Sequence, residues 1–359
     1  MDCRKKYLKE EKDLKRLLSL LLSLVLLASF ASLSFAAVTV GGNLRVWYQA
    51  TSDETDTTNK SSDTFRFDRL ALTFASELSA VDGFKGEVQL RQPRNDANSG
   101  TSTSAKFGTD IRVDNAYYYQ KGMFFEDDEM DIGYIQQLPF KGAYNAIVLE
   151  SLANAVIKDS NSTGIKYSNK ITPQFDFALA VLSAKNQYNK DDTTYDGYDY
   201  GIRFNYAPIS QLKIGMGYVK DIGSGKDTYK TIYAVDATYN AGPFGAYAEY
   251  LSGTSTSTGT DTDLDAATYL ELSYKVMDPL TLYVGGTSGL DSTKATSFGN
   301  AFGYKFTDAD SDFQAKNNWM VIGAKYQLAP NTALQAEYVS VDNDNADQTA
   351  AAVRLMVSF

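Results

Sequence analysis

The chain has 359 residues, 43% apolar, 22% charged and 13% aromatic, and 34 Lys+Arg against 44 Asp+Glu give a formal net charge of −10. There is no histidine and a single cysteine, Cys3, which excludes Ser-His-Asp and Cys-His catalysis and any His/Cys zinc site. The length allows two globular domains, yet no shift in composition marks a boundary between them.

Residues 1–36 read as a leader. Arg4, Lys5, Lys6, Lys9, Lys12, Lys15 and Arg16 precede an apolar run from Leu17 to Leu33, and Ser34-Phe35-Ala36-Ala37 supplies a small-x-small end. That order predicts a secretory signal peptide cleaved after Ala36. The rival is an uncleaved anchor at the lower length limit for a span. The leader holds seven basic and four acidic residues, so residues 37–359 keep 27 against 40, a net of −13, and no cysteine for a disulfide. No later stretch approaches the ~20 apolar residues of a membrane helix. An exported chain of this kind is a water-soluble fold or a membrane barrel.

From residue 38 onward the pattern has period two. Phe84, Gly86, Val88 and Leu90 interleave with Lys85, Glu87, Gln89 and Arg91. Ile165, Tyr167 and Ile171 interleave with Lys166, Ser168 and Lys170, and Tyr198, Tyr200, Ile202, Phe204 and Tyr206 with Asp199, Gly201, Arg203 and Asn205. Successive strand side chains point to opposite faces, so each segment has one apolar and one polar face. Sixteen segments follow: 38–51, 64–78, 84–93, 110–121, 129–137, 163–171, 174–185, 197–207, 211–221, 229–240, 243–252, 266–277, 280–289, 317–328, 332–342 and 349–359. In 64–78, Leu70, Leu72 and Phe74 share a face with Asp68 and Arg66. Either a bulge or an extension beyond the bilayer accounts for that conflict.

The connections alternate. Long links at 52–63, 94–109, 138–162, 186–196, 222–228, 253–265, 290–316 and 343–348 are separated by short ones such as Thr172-Pro173, Ala241-Gly242 and Asp278-Pro279. Alternation of short turns on one side with long loops on the other is the habit of a transmembrane antiparallel β-barrel, with the short turns periplasmic. The expected fold is therefore all-β, a membrane barrel of about sixteen strands over residues 37–359.

The last segment sets Val353, Leu355, Val357 and Phe359 against Ala352, Arg354, Met356 and Ser358. A final amphipathic strand ending in Phe359 resembles the assembly signal of bacterial outer-membrane proteins. Gly41-Gly42-Asn43-Leu44-Arg45-Val46-Trp47-Tyr48 resembles the first strand of sixteen-stranded porins, and Asp131-Ile132-Gly133-Tyr134-Ile135-Gln136-Gln137-Leu138-Pro139-Phe140 resembles the entry to the third external loop in the phosphate-selective porin O and P family. The resemblance covers the chain after the leader and implies a trimeric porin. It departs in two places. Ser151 follows Glu150 where that family commonly has Arg, and the net charge of −13 contrasts with the dense basic ladders of its anion-selective members.

A sixteen-stranded barrel is too wide for side chains to fill and encloses water. The apolar parity then faces lipid, with Tyr48, Tyr206, Tyr218, Tyr326 and Phe359 as candidates for interfacial aromatic belts. The polar parity places Arg45, Arg91, Arg112, Arg203 and Arg354 in the lumen with Glu87, Asp114, Asp199, Glu249, Glu271 and Glu337. Facing rows of opposite charge would order dipolar solutes and set ion preference. Link 138–162, with Lys141, Glu150 and Lys158 and two apolar runs, is the expected constriction loop; 290–316 competes for that role.

The expected function is a non-enzymatic diffusion channel in the outer membrane of a diderm bacterium, weakly cation-preferring, for ions and small hydrophilic solutes. The alternatives are an anion- or phosphate-selective porin and a non-conducting structural or adhesin barrel. No cofactor and no nucleic acid is implied. The expected partners are outer-membrane lipid, lipopolysaccharide and, by resemblance, two further copies of the chain. Acidic loops such as Asp261, Asp263 and Asp265 offer oxygens to divalent cations. Asp308, Asp310 and Asp312 lack the Gly and Glu that follow in an EF-hand loop, and these acidic loops read as solvated charge.

Overall fold

A computed structural model of the chain describes residues 38–53, 61–91, 110–135, 162–183, 198–225, 228–257, 260–288, 318–342 and 348–359. The leader, the third external link with Lys141, Glu150 and Lys158, and most other long links lie outside the described residues.

Sixteen strands form one sheet. They are β1 (Val38–Asp53), β2 (Ser61–Glu77), β3 (Asp82–Arg91), β4 (Asp110–Lys121), β5 (Asp128–Ile135), β6 (Ser162–Thr172), β7 (Phe175–Ser183) and β8 (Tyr198–Ile209). They continue as β9 (Leu212–Gly225), β10 (Thr228–Ala241), β11 (Phe244–Ser257), β12 (Thr260–Met277), β13 (Leu280–Ser288), β14 (Asn318–Ala329), β15 (Thr332–Asp342) and β16 (Gln348–Ser358). Each strand pairs antiparallel with its neighbours in sequence, and β1 pairs with β16, so the sheet is a closed barrel. Closure pairs every backbone group along the strands and leaves no edge to meet lipid.

The seam is shut by the chain end. Phe359 N–H donates to Gly42 O at 3.0 Å and Gly42 N–H donates to Phe359 O at 2.8 Å. The Phe359 ring lies over Gly42, where a β-carbon would overlap it.

Along several strands burial is inverted relative to a soluble protein, although Val219, Ile232, Leu251, Val321 and Val339 are also buried. On β12, Leu270, Leu272 and Tyr274 are exposed, while Tyr269 and Glu271 are buried. On β15, Leu334 and Tyr338 are exposed, while Gln335 and Glu337 are buried. The apolar parity of the strands is the outer one, as expected where the surrounding solvent is hydrocarbon. Outward aromatics meet near the short turns, where Phe175 stacks on Phe204 at 6.0 Å and Phe244 meets Tyr274 at 4.9 Å. Tyr218, towards the long-link side, packs between Tyr200 and Tyr233.

The conflict in the second segment is a bulge. Arg45 pairs with Arg69 and Val46 with Phe67, so Asp68 is the extra residue in β2. One inserted residue moves everything beyond it to the other face, which puts Phe67 and Phe65 in register with Val46 and Tyr48. A second extra residue, Asp114, interrupts β4 opposite Glu87 and Val88.

Two links expected to be long are short. β9 runs to Gly225 and β10 starts at Thr228, and β11 runs to Ser257 with β12 starting at Thr260. Thr254 pairs with Asp263 and Thr256 with Asp261. Backbone ladder bonds need no apolar face, and threonine favours strands, so the hairpin continues through sequence that has lost its alternation.

Candidate pore-lining site

The inner face carries a polar system from β7 to β16. Arg203 on β8 forms a two-point pair with Asp236 on β10, with Nη1–Oδ2 at 2.7 Å and Nη2–Oδ1 at 2.9 Å. The pair skips a strand. Its guanidinium crosses β9 over Gly215, where a β-carbon would overlap it. Arg203 Nε donates to Asn205 Oδ1 at 2.9 Å, and Asn205 in turn donates to Asp176, which Lys213 approaches at 3.3 Å.

Asp236 is register partner to Glu249 on β11, so two carboxylates stand directly opposite on adjacent strands. Such a pair repels, and the Arg203 fork offsets one of the two charges. Across β11 and β12 the register alternates acid and phenol. Glu249 opposes Tyr269, and Tyr247 opposes Glu271. Tyr269 O–H donates to Glu271 Oε2 at 2.9 Å, and Tyr247 and Tyr269 rings lie 6.1 Å apart.

The same device recurs further round. Tyr283 on β13 reaches over Gly323 on β14 to donate to Glu337 Oε1 on β15 at 2.5 Å. Gln335 Nε2 donates to the Tyr283 hydroxyl at 2.8 Å, and Arg354 Nη2 on β16 donates to Gln335 Oε1 at 3.0 Å. A glycine on the middle strand lets a long side chain lie flat on the wall. Removing either glycine would push that chain inward.

The opposite wall is basic. Arg45, Arg69 and Arg91 occupy one register row across β1, β2 and β3, and Arg112 on β4 pairs with Gln89. In a ring of sixteen, β2 and β10 lie eight strands apart in either direction, so the arginine row faces the strands of Asp236, Glu249 and Glu271.

The expected lumen residues are therefore distributed as follows. Arg203, Glu249 and Glu271 belong to the wall of Asp236, Tyr247 and Tyr269 on β8–β12, and Glu337 and Arg354 to the Tyr283 network on β13–β16, next to β1. Arg45, Arg91 and Arg112 belong to the opposite wall, the last two placed by register alone. Asp199 is buried on the inner face, Asp114 is the bulge residue, and Glu87 accepts from Gln89 at 2.5 Å. Near the short-turn mouth, buried Asp131 is paired with Lys166 at 2.7 Å.

Sequence reasoning missed Arg69, Asp236, Gly215, Gly323 and the inward tyrosines. Arg69 was readable from the Leu70-x-Leu72-x-Phe74 parity, and Tyr247-x-Glu249 and Tyr269-x-Glu271 lie on the polar parity. Arg69 Nε is buried without a hydrogen-bond partner. Among the described residues, no group of three or more Asp, Glu, His or Cys is placed to hold a metal ion. The acidic links lie mostly outside those residues.

A family model described as Gram-negative porin matches residues 23–346. No curated protein matches at the level of sequence. Among solved structures, the chain is similar to an anion-selective porin from Comamonas acidovorans, with TM-score 0.62 and 14% identity over 90% of this chain and 99% of that one. It is also similar to OmpT, an outer membrane protein of Vibrio cholerae, with TM-score 0.61 and 13% identity over 91% and 100%. OmpF of Salmonella typhi, solved with daunomycin, gives TM-score 0.59 and 15% identity over 90% and 97%. At such identities the structures speak for the sixteen-strand fold, and the family match speaks for descent.

Proposed function

Because the chain belongs to the Gram-negative porin family, we propose that it forms a water-filled diffusion channel in the outer membrane for ions and small hydrophilic solutes, with a weak cation preference. The observation that carries this reading is the closed ring of sixteen strands with apolar side chains outside and charged ones inside. Barrels of this size enclose an aqueous lumen. Solutes pass by diffusion, so no chemical step is required of any residue.

The two walls supply the selectivity. Carboxylates on β10–β12 and guanidiniums on β1–β4 set up a field across the channel, which favours dipolar solutes aligned with it. The tyrosine hydroxyls fix the orientation of Glu271 and Glu337. The chain without its leader carries −13, which attracts cations to the mouth. Trimeric assembly follows from the resemblance to porins, export by a cleaved leader from the basic, apolar and small-residue order of residues 1–36, and contact with lipopolysaccharide from the acidic loops through divalent cations.

A second reading is an anion-selective channel, the finer likeness to phosphate-selective porins included. The row Arg45, Arg69 and Arg91 favours it. Liposome swelling with neutral sugars of rising size tests the channel itself. Graded uptake that falls with solute size is expected, and no uptake of even the smallest sugar would point to a closed structural or adhesin barrel.

A further inference from the structure

Five of the seven short connections are polar, small or proline-containing: Pro173-Gln174, Ser210-Gln211, Gly242-Pro243, Asp278-Pro279 and Pro330-Asn331; Leu78-Ser79-Ala80-Val81 holds two apolar residues, but separated. The seventh, between β4 and β5, is Gly122-Met123-Phe124-Phe125-Glu126-Asp127. Met123, Phe124 and Phe125 are 45%, 65% and 64% exposed. Three consecutive large apolar residues held out at a turn are costly in water.

The turn is built to hold them there. The backbone N–H groups of Met123, Phe124 and Phe125 all donate to the Asp128 carboxylate, at 2.8, 2.8 and 2.9 Å. Tyr167 O–H donates to the same carboxylate at 3.1 Å. Gly122 at φ +65° opens the turn in the left-handed region that glycine adopts without strain.

The turn also leans to a definite side. The Phe124 ring sits edge-on to Tyr167 at 6.0 Å. Tyr167 shares its face with Ile165, whose partner Ile132 is exposed on the outer, apolar parity. Tyr167 then meets Phe177, and Phe177 meets Phe204. Phe124 thus continues the outward aromatic belt, and Glu126 and Asp127 complete a turn with an apolar half and a charged half.

We infer that the β4–β5 turn is a lipid anchor, with Met123, Phe124 and Phe125 seated among the headgroups and upper acyl chains of the periplasmic leaflet. Its occupant is phospholipid, because the patch is continuous with the lipid-facing belt. Aromatic side chains favour that boundary, where one side is apolar and the other wet. The inference rests on the barrel spanning the membrane with its short turns on the periplasmic side.

The test uses site-directed spin labels on the full chain. Cys3 is the only cysteine, so Cys3→Ser with Phe124→Cys gives one labelled thiol, and Cys3→Ser with Met123→Cys gives an independent one. A third, Cys3→Ser with Leu282→Cys, labels an outward position inside β13, its third residue from the short-turn end. Each is refolded into vesicles of phosphatidylethanolamine and phosphatidylglycerol and exposed to oxygen, which concentrates in lipid, and to a nickel chelate, which stays in water. The expected result is oxygen dominance at 282, and at 123 and 124 an accessibility ratio between that of 282 and that of free label in water. Water-like ratios at 123 and 124 beside a lipid-like ratio at 282 would overturn the anchor and leave the barrel standing. A water-like ratio at 282 would overturn both.

Discussion

Arg203 and Asp236 form an ion pair enclosed on the inner wall, with side-chain exposures of 4% and 3%. Removing one member of a buried pair leaves an uncompensated charge and costs about 3–5 kcal/mol. Here the cost is sharpened by Glu249 directly opposite Asp236. Arg203→Met should therefore destabilise the barrel by about that amount, whereas Arg203→Met with Asp236→Asn should cost clearly less. Urea unfolding followed through the two tryptophans measures both, and equal losses would contradict the pairing. Gly215→Ala keeps both charges but blocks the path between them. It should release the guanidinium into the lumen and move the reversal potential towards anions. The inward tyrosines show why part of this site was hard to read from sequence. Tyrosine serves equally at a lipid interface and on a wet wall, so residue type did not separate Tyr283 inside from Tyr326 outside. Position parity did.

At the scale of elements, strand boundaries were legible because alternation has a physical cause: lipid on one face and water on the other. The thirteen residues 253–265, all Thr, Ser, Asp or Gly but for Leu264, carry no alternation, since a hairpin beyond the lipid has water on both faces, and its extension was not legible. The conflict between Asp68 and Leu70 was visible, but only the register distinguishes a bulge from an extension. Deleting Asp68 should remove the bulge and drive the β2 segment before it to the opposite face. Loss of the folded, heat-modifiable band on electrophoresis is expected, and a normally folded deletion would contradict the bulge assignment. Phe359 acts at the same scale. Its backbone closes the β1–β16 seam through Gly42 and its ring covers that glycine. Deleting Phe359 should lower the yield of folded barrel in vesicles, and Phe359→Tyr should restore most of it.

For the whole molecule, the opposed walls lie on strands far apart in sequence, and sequence alone could assign their side chains to the lumen but not to opposite sides of it. Ring order makes that assignment. Their field is screened by salt, with a Debye length of ≈ 10 Å at 0.1 M and ≈ 3 Å at 1 M. Any selectivity they impose should therefore be strong in dilute salt and nearly vanish at 1 M. Glu249→Gln with Glu271→Gln should reduce cation preference in dilute salt without closing the channel, read as a smaller reversal potential at unchanged single-channel opening. Above all, the barrel should conduct. Purified protein added to a planar bilayer under a salt gradient tests it directly: stepwise conductance increments with a reversal potential of cation-selective sign are predicted, and a bilayer that stays insulating with folded protein inserted would contradict the channel.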